Sequence, residues 1–249
     1  MTMRKWLTDY RYLTLAQYYN QLGWLPFMVV ISALLPVGML FGLRLIGGGI
    51  GGAGVPFVIT GSAVVSIVTM AVTSVATDLF FERRLGAFVY YASLPIARSA
   101  FILAIVTIRL VNTLPGVVVT LVAGKFLYDA DLAFSPWLVV VILLSILSLI
   151  GLGAAIGLGV SNEQVLHMLA NLSIIFVMFG APVMIPADLL PGALQVAGYF
   201  LPPTYAANAF RGAVFGASVT TYWVDLLVLA GFGVLSFIIV TTALRWRAE

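Results

Sequence analysis

The 249-residue chain carries 12 Lys and Arg and 9 Asp and Glu residues, and 62% of its residues are hydrophobic. Charged residues make up 8% of the chain, against about 25% in soluble domains, so too little polar surface is present to cover a water-soluble domain. This excludes a cytosolic globular enzyme and a disordered chain. A net charge of +3 without a basic stripe argues against nucleic-acid binding, and the absence of cysteine excludes disulfides and cysteine-ligated metals.

Residues 1–24 precede the first apolar run and predict an amphipathic helix in the membrane interface. Trp6, Tyr10, Leu13 and Gln17 recur at helical spacing with basic residues between them. The alternative is an ordinary solvated segment that precedes the first span and does not bind the membrane interface.

Six apolar stretches are long enough to cross a bilayer, which takes roughly 20 helical residues. They cover residues 25–46, 56–80, 99–126, 136–160, 165–185 and 223–244. The glycine-rich tract 47–54 is a turn between the first two. The sequence therefore predicts an all-α membrane protein with six transmembrane helices, forming a single domain over residues 1–249.

The distribution of Arg and Lys predicts the orientation of these spans. One side carries three basic residues: Arg44, Lys125 and Arg211. The other side carries eight: Arg4, Lys5, Arg11, Arg83, Arg84, Arg98, Arg245 and Arg247. We therefore expect both termini in the cytoplasm.

Catalytic chemistry is missing from the sequence. The chain has no G-x-x-x-x-G-K-[ST] phosphate loop, so we expect it not to hydrolyse nucleotides alone. Its single histidine, His167, stands four residues after Glu163, which makes a poor metal site or catalytic pair. No paired carboxylates lie within a span, and this disfavours a proton-driven carrier. We therefore assign no catalytic, cofactor-binding or metal-binding residue.

Two segments between the spans are unusual. Residues 80–98 are charged at both ends and carry Phe88, Tyr90 and Tyr91 between, which is typical of a docking surface for a soluble partner; a loop whose arginines only hold topology is the alternative. Residues 186–216 are too apolar for a solvated loop and too rich in proline for a full span. They predict short re-entrant helices at the outer face, with their broken backbone buried against protein.

These segments resemble the permeases of ABC-2 type exporters of drugs, lipids and glycans. That family carries an arginine–glycine, Leu-Pro and arginine pattern after the second span, and a Pro-x-Tyr followed by Arg-Gly pattern after the fifth. The matching positions are Arg84, Gly86, Leu94, Pro95 and Arg98 in the first pattern, and Pro203, Thr204, Tyr205, Arg211 and Gly212 in the second.

The resemblance implies a membrane-spanning subunit that dimerises, most simply as a homodimer in the cell membrane, and that moves an amphipathic or lipid-like substrate outward. Separate ABC ATPase subunits would bind ATP and Mg²⁺, and this chain would hold no cofactor. The implied ATPase-docking residues are Glu82, Arg83, Arg84, Gly86, Pro95 and Arg98. The implied outer gate contains Thr204, Tyr205 and Arg211. A nucleotide-independent carrier or channel is the alternative function.

The residues that would contact substrate are proposed from spacing together with the resemblance. Ser62, Ser66, Thr69 and Thr73 share one face of an α-helix, and hydroxyls on one face either line a path or bond to a neighbouring helix. In such permeases the second and fifth spans face the dimer axis, which places Asn171, Ile175 and Phe179 on the opposing wall.

Arg109, within the third span, is either functional or extended towards the cytoplasm. Two departures from the family pattern also stand out: Ala87-Phe88-Val89 replaces Thr-x-Glu after the glycine, and Asn208 and Ala209 stand where a glutamate often precedes Arg-Gly. The first concerns ATPase docking, and the second concerns the outer gate.

Overall fold

A computed structural model of the chain describes residues 3–23, 25–46, 54–86, 98–216 and 219–243. Throughout these ranges the regular structure is helical. Five helices are long and apolar enough to cross a membrane, and a sixth contains the shorter apolar stretch Val29–Leu45. The predicted all-α membrane protein is confirmed.

The first two helices pack against the fourth. The first half of helix α1 (Met3–Gln21) is held by side-chain hydrogen bonds, because Trp6 Nε1 donates to Ser99 Oγ at 2.9 Å and Tyr10 bonds Thr107 Oγ1 at 2.9 Å. Helix α2 spans Leu25–Ile46, and α4 spans Arg98–Tyr128. The helix predicted within residues 1–24 is therefore present. Its location in the membrane interface stays a prediction.

Helix α3 (Val55–Arg84) lies in the middle of the protomer and contains a π-helical segment, Val68–Ser74. It contacts α2 and α4 and three later helices (Trp137–Gly159, Glu163–Gly180 and Pro202–Phe215), and every residue from Val58 to Ile67 is buried. The helix continues four residues beyond the predicted end at Phe80 and ends at Arg84; Leu85 is its C-cap, and the φ of +71° at Gly86 is the left-handed conformation that follows a helix C-cap. The charged residues Glu82 to Arg84 thus belong to a helix and not to a free loop.

Helices α5 (Trp137–Gly159) and α6 (Glu163–Gly180) are joined by a turn of three residues. Asn162 caps α6, because its side chain accepts hydrogen bonds from the backbone N–H of Gln164 at 2.8 Å and Val165 at 3.4 Å. The fifth span was predicted to reach residue 185 but ends at Gly180, since Ala181 is extended (φ −118°, ψ 152°) in front of Pro182. A residue before proline is disfavoured in helical conformation.

Residues 186–216 contain a 3₁₀ turn, Ala187–Leu189, and two short α-helices, α7 (Gly192–Gly198) and α8 (Pro202–Phe215). Helix α8 is too short to span a bilayer at about 1.5 Å per residue, and it packs against α3, α5 and α9 (Val219–Ala243). Its buried face includes Thr204, Ala207 and Phe210. The re-entrant position of residues 186–216 in a membrane stays a prediction, and Leu244, the predicted end of the sixth span, lies outside the described residues.

Candidate functional site

The last turns of α3, from Asp78 to Gly86, bring together most of the predicted docking residues that the structure describes; we call them the α3 end. Arg83 donates from both terminal nitrogens of its guanidinium, to the backbone carbonyls of Leu158 and Val160 at the end of α5. The last carbonyls of a helix lack intrahelical partners and carry its negative dipole end. Arg83 therefore supplies the hydrogen-bond donors that the last carbonyls of α5 lack.

Arg84, the next residue, faces the solvent side of the α3 end. Its guanidinium lies 3.5 Å from the Glu163 carboxylate at the start of α6, and the two side chains are 65% and 48% exposed. An exposed pair of this kind contributes little to stability, so both charges remain accessible to a partner. Arg84 and Glu163 line an open groove of about 900 Å³ together with Ser161, Asn162 and His167.

Glu82 points to a different side from Arg83 and Arg84. It lines a cavity of about 350 Å³ formed with Gln17 and Gln21 of α1 and Arg109 of α4. Gln21 Oε1 accepts a hydrogen bond from Asn112 at 2.6 Å, which ties the end of α1 to α4. The predicted docking set is thus divided between two faces. Pro95 lies outside the described residues, as does the side chain of Arg98, the first residue of α4.

Arg109 pairs with Asp78, which sequence reasoning did not identify as its partner. The guanidinium is 5% exposed and donates to the Asp78 carboxylate, 31 residues earlier in the chain. The pair joins α4 to the α3 end, so snorkelling alone does not describe this arginine. Asp78 stands six residues before the end of α3 at Arg84 and Arg109 stands eleven residues after the start of α4 at Arg98, so distance from the helix ends gave no signal for this pairing.

The hydroxyl residues predicted to line a path do not share one environment. Ser62 and Ser66 are 0% exposed, and Ser66 donates to the Ser32 carbonyl of α2 at 3.1 Å. Thr69 and Thr73 are half-buried and lie within the π-helical segment. A π turn changes the angular spacing on which a single α-helical stripe depends. The two serines thus pack inside the protomer, and the path role of the four residues stays a prediction.

On α6 the three predicted path residues share one exposed face. Ile175 and Phe179 are 53% and 57% exposed, and Asn171 is also exposed. Because more than half of the Ile175 and Phe179 side chains is exposed, this face is available to lipid, to substrate or to a second copy.

The predicted outer gate is built around Arg211 of α8. Its guanidinium lies over the Phe57 ring at 4.2 Å and donates to the Val183 carbonyl at 3.0 Å, the Pro182 carbonyl at 3.4 Å and Asn208 Oδ1 at 2.5 Å. Burial lowers the pKa of Arg211 to about 10, and the nearby Asp225 opposes this shift. The arginine therefore stays charged at neutral pH and holds α8 to the turn that follows α6.

The other gate residues lie beside this network. Tyr205 donates to the Tyr199 carbonyl at 2.7 Å, and the buried Thr204 hydroxyl lines a cavity of about 220 Å³ with Arg211. Asp225 of α9, which sequence reasoning missed, faces Asn208 and Arg211. An acidic residue from another helix thus stands near the position where the family pattern often has a glutamate.

Comparison with protein families gives a match to the ABC-2 type transporter model over residues 4–215, which runs from α1 to the end of α8. The chain belongs to the ABC-2 type transporter family. The family predicted from the two short sequence patterns is thus confirmed. This ABC-2 permease is a multi-pass membrane transport component of an ABC transporter, and its family works with an ABC ATPase subunit. No curated protein matches the chain.

Proposed function

We propose that this ABC-2 permease exports an amphipathic or lipid-like substrate by alternating access, driven by ATP and Mg²⁺ bound to separate ATPase subunits. The observation that carries the proposal is the α3 end. It presents the exposed Arg84–Glu163 pair beside a groove of about 900 Å³, and it is bonded to α4 through Arg109 and to α5 through Arg83. A force applied by a partner at this surface would reach three helices.

The export direction rests on the resemblance of the two short patterns to exporters. The substrate class rests on the exposed face of α6, where the apolar Ile175 and Phe179 accompany the polar Asn171. A surface of this mixed character suits a molecule with both an apolar and a polar part. A second copy of the chain would face this surface across the path, and both termini would lie in the cytoplasm.

The test is co-expression of the tagged permease with a candidate ABC ATPase subunit, sought first in the neighbouring reading frame, followed by purification and measurement of ATP hydrolysis. We expect the permease alone to hydrolyse no ATP and the ATPase to co-purify with it. Arg84→Glu reverses an exposed charge in the groove and should reduce co-purification. Lys125→Glu makes the same charge change at an exposed residue far along α4 and serves as the control.

Two results would contradict the proposal. The first is biochemical: either the permease alone hydrolyses ATP, or the ATPase does not co-purify with the permease. The other is transport that persists in ATP-depleted vesicles under an ion gradient, which would support the nucleotide-independent carrier or channel.

A further inference from the structure

The α3 end is tied to the helices beside it by contacts of different kinds. Arg84 meets Glu163 in an exposed pair at 3.5 Å, whereas Arg83 binds two backbone carbonyls of α5. Backbone carbonyls cannot change rotamer, and hydrogen bonds from a charged donor are roughly twice as strong as neutral ones. Arg83 is therefore the firmer of the two links between the α3 end and the α5–α6 turn.

Below Arg83, the backbones of α3 and α5 touch without a layer of side chains between them. A Cβ atom added to Gly153 would come within 2.7 Å of the Val72 carbonyl oxygen, and one added to Gly157 would come within 2.9 Å of Ala76 Cα. Helices in such close contact move together, because sliding would force atoms into overlap. Arg83 extends this rigid contact to the last turn of both helices.

The connection continues into α6 over a short distance. Only Val160, Ser161 and Asn162 separate α5 from α6, and Asn162 caps the first turn of α6. Phe80 of α3 also packs with Leu166 of α6 in a small buried cluster. A displacement of the α3 end is thus passed through a three-residue turn to the start of the helix that carries Ile175 and Phe179.

We propose that Arg83 is a positioning residue that couples the α3 end to α6 through the α5–α6 turn, and not an ATPase contact as the sequence pattern implies. This inference rests on the proposed function, because it needs an ATPase that moves the α3 end. Arg83 uses its terminal nitrogens within the protomer, whereas the Arg84 guanidinium remains exposed for a partner. The two adjacent arginines therefore have separate roles.

The experiment uses the permease–ATPase complex in lipid nanodiscs. The chain has no cysteine, so Phe179→Cys provides a single reporter on the exposed face of α6. The labelling rate with a water-soluble maleimide is measured without nucleotide and after trapping with ATP and vanadate, together with co-purification and ATP hydrolysis. The permease with native Arg83 should show an ATP-dependent change in this rate.

For Arg83→Ala we expect unchanged co-purification and continued ATP hydrolysis, but a loss of the ATP-dependent labelling change by roughly fivefold or more, as for a typical coupling between sites. Arg83→Lys, which retains a charged donor, should restore part of the change. Arg44→Ala removes an exposed arginine at the end of α2 and serves as the control.

A labelling change in Arg83→Ala equal to that of Arg44→Ala would overturn the inference. So would a loss of co-purification in Arg83→Ala as large as that in Arg84→Glu, because Arg83 would then be a docking contact. Failure of the proposed function is distinguishable, since the chain with native Arg83 would then recruit no ATPase or show no response to ATP.

Discussion

Arg109 is 5% exposed, and Asp78 neutralises it inside the protein. Removing one partner of a buried ion pair costs about 3–5 kcal/mol, because the remaining charge is left without compensation. Asp78 is itself 40% exposed on its side chain, so water retains access to this site. We therefore expect Asp78→Asn to lower the free energy of unfolding by about 3 kcal/mol, the lower end of that range, measured by denaturant titration in detergent.

The control for this prediction is Asp131→Asn, which removes the same charge at an exposed position after α4. Its free energy of unfolding should stay within about 0.5 kcal/mol of the native value. The double variant Asp78→Asn/Arg109→Gln should recover much of the lost stability, since neither charge is then left alone. Equal stability of Asp78→Asn and Asp131→Asn would show that the pair does not support the fold.

At the residue scale the sequence identifies which side chains are unusual but not which ones meet. It singled out Arg109, Arg211 and the hydroxyls of the second span. The partners Asp78 and Asp225 come from other helices, and the rotation of one helix against another decides such contacts. Ser66 is an example, because its hydroxyl bonds to α2, and the spacing within α3 cannot distinguish this outcome from a path-lining role.

Helices α3 and α5 lie close together because glycines on α5 face the α3 backbone. At Gly157 an added Cβ would overlap the Ala76 backbone, whereas at Gly159 it would meet no atom within 4 Å. Overpacking of this kind costs roughly 1–3 kcal/mol. We expect Gly157→Ala to lower the midpoint of thermal unfolding in detergent and Gly159→Ala to leave it unchanged or raise it slightly, because alanine favours helix by about 1 kcal/mol over glycine.

These two variants carry the same chemical change two residues apart on one helix, so helix propensity does not distinguish them. If Gly157→Ala were as stable as Gly159→Ala, the close backbone contact would not exist in the membrane. Nothing in the packing would then require α3 and α5 to move together.

At the element scale hydropathy predicts which segments are helices, because crossing a bilayer as a helix takes about 20 apolar residues. It predicts their ends less well. Arg83 at the end of α3 is held by the carbonyls of α5, which lets the helix continue past Phe80. The fifth span ends early because an extended residue precedes Pro182. The hydropathy of the sequence did not predict the π-helical segment Val68–Ser74.

On the scale of the whole molecule, the two helices predicted to face a dimer axis are covered to very different extents. The apolar window of α3 is 78% buried within one protomer, and that of α6 is 28% buried. Asn171 lies on the exposed side of α6, and a polar side chain facing lipid is unfavourable. The proposed second copy, or the path between two copies, would give this side chain a polar neighbour.

Cysteine cross-linking in native membranes tests this arrangement, and the chain has no native cysteine that would compete with the introduced one. We expect at least one of Asn171→Cys, Ile175→Cys and Phe179→Cys to form a covalent dimer on mild oxidation, because equivalent residues approach each other across a twofold axis. Val234→Cys, equally exposed at 61% but on α9, should stay monomeric on denaturing gels because its neighbours are lipids. A dimer from Val234→Cys with none from the three α6 variants would place the interface on α9 and leave the exposed face of α6 to lipid.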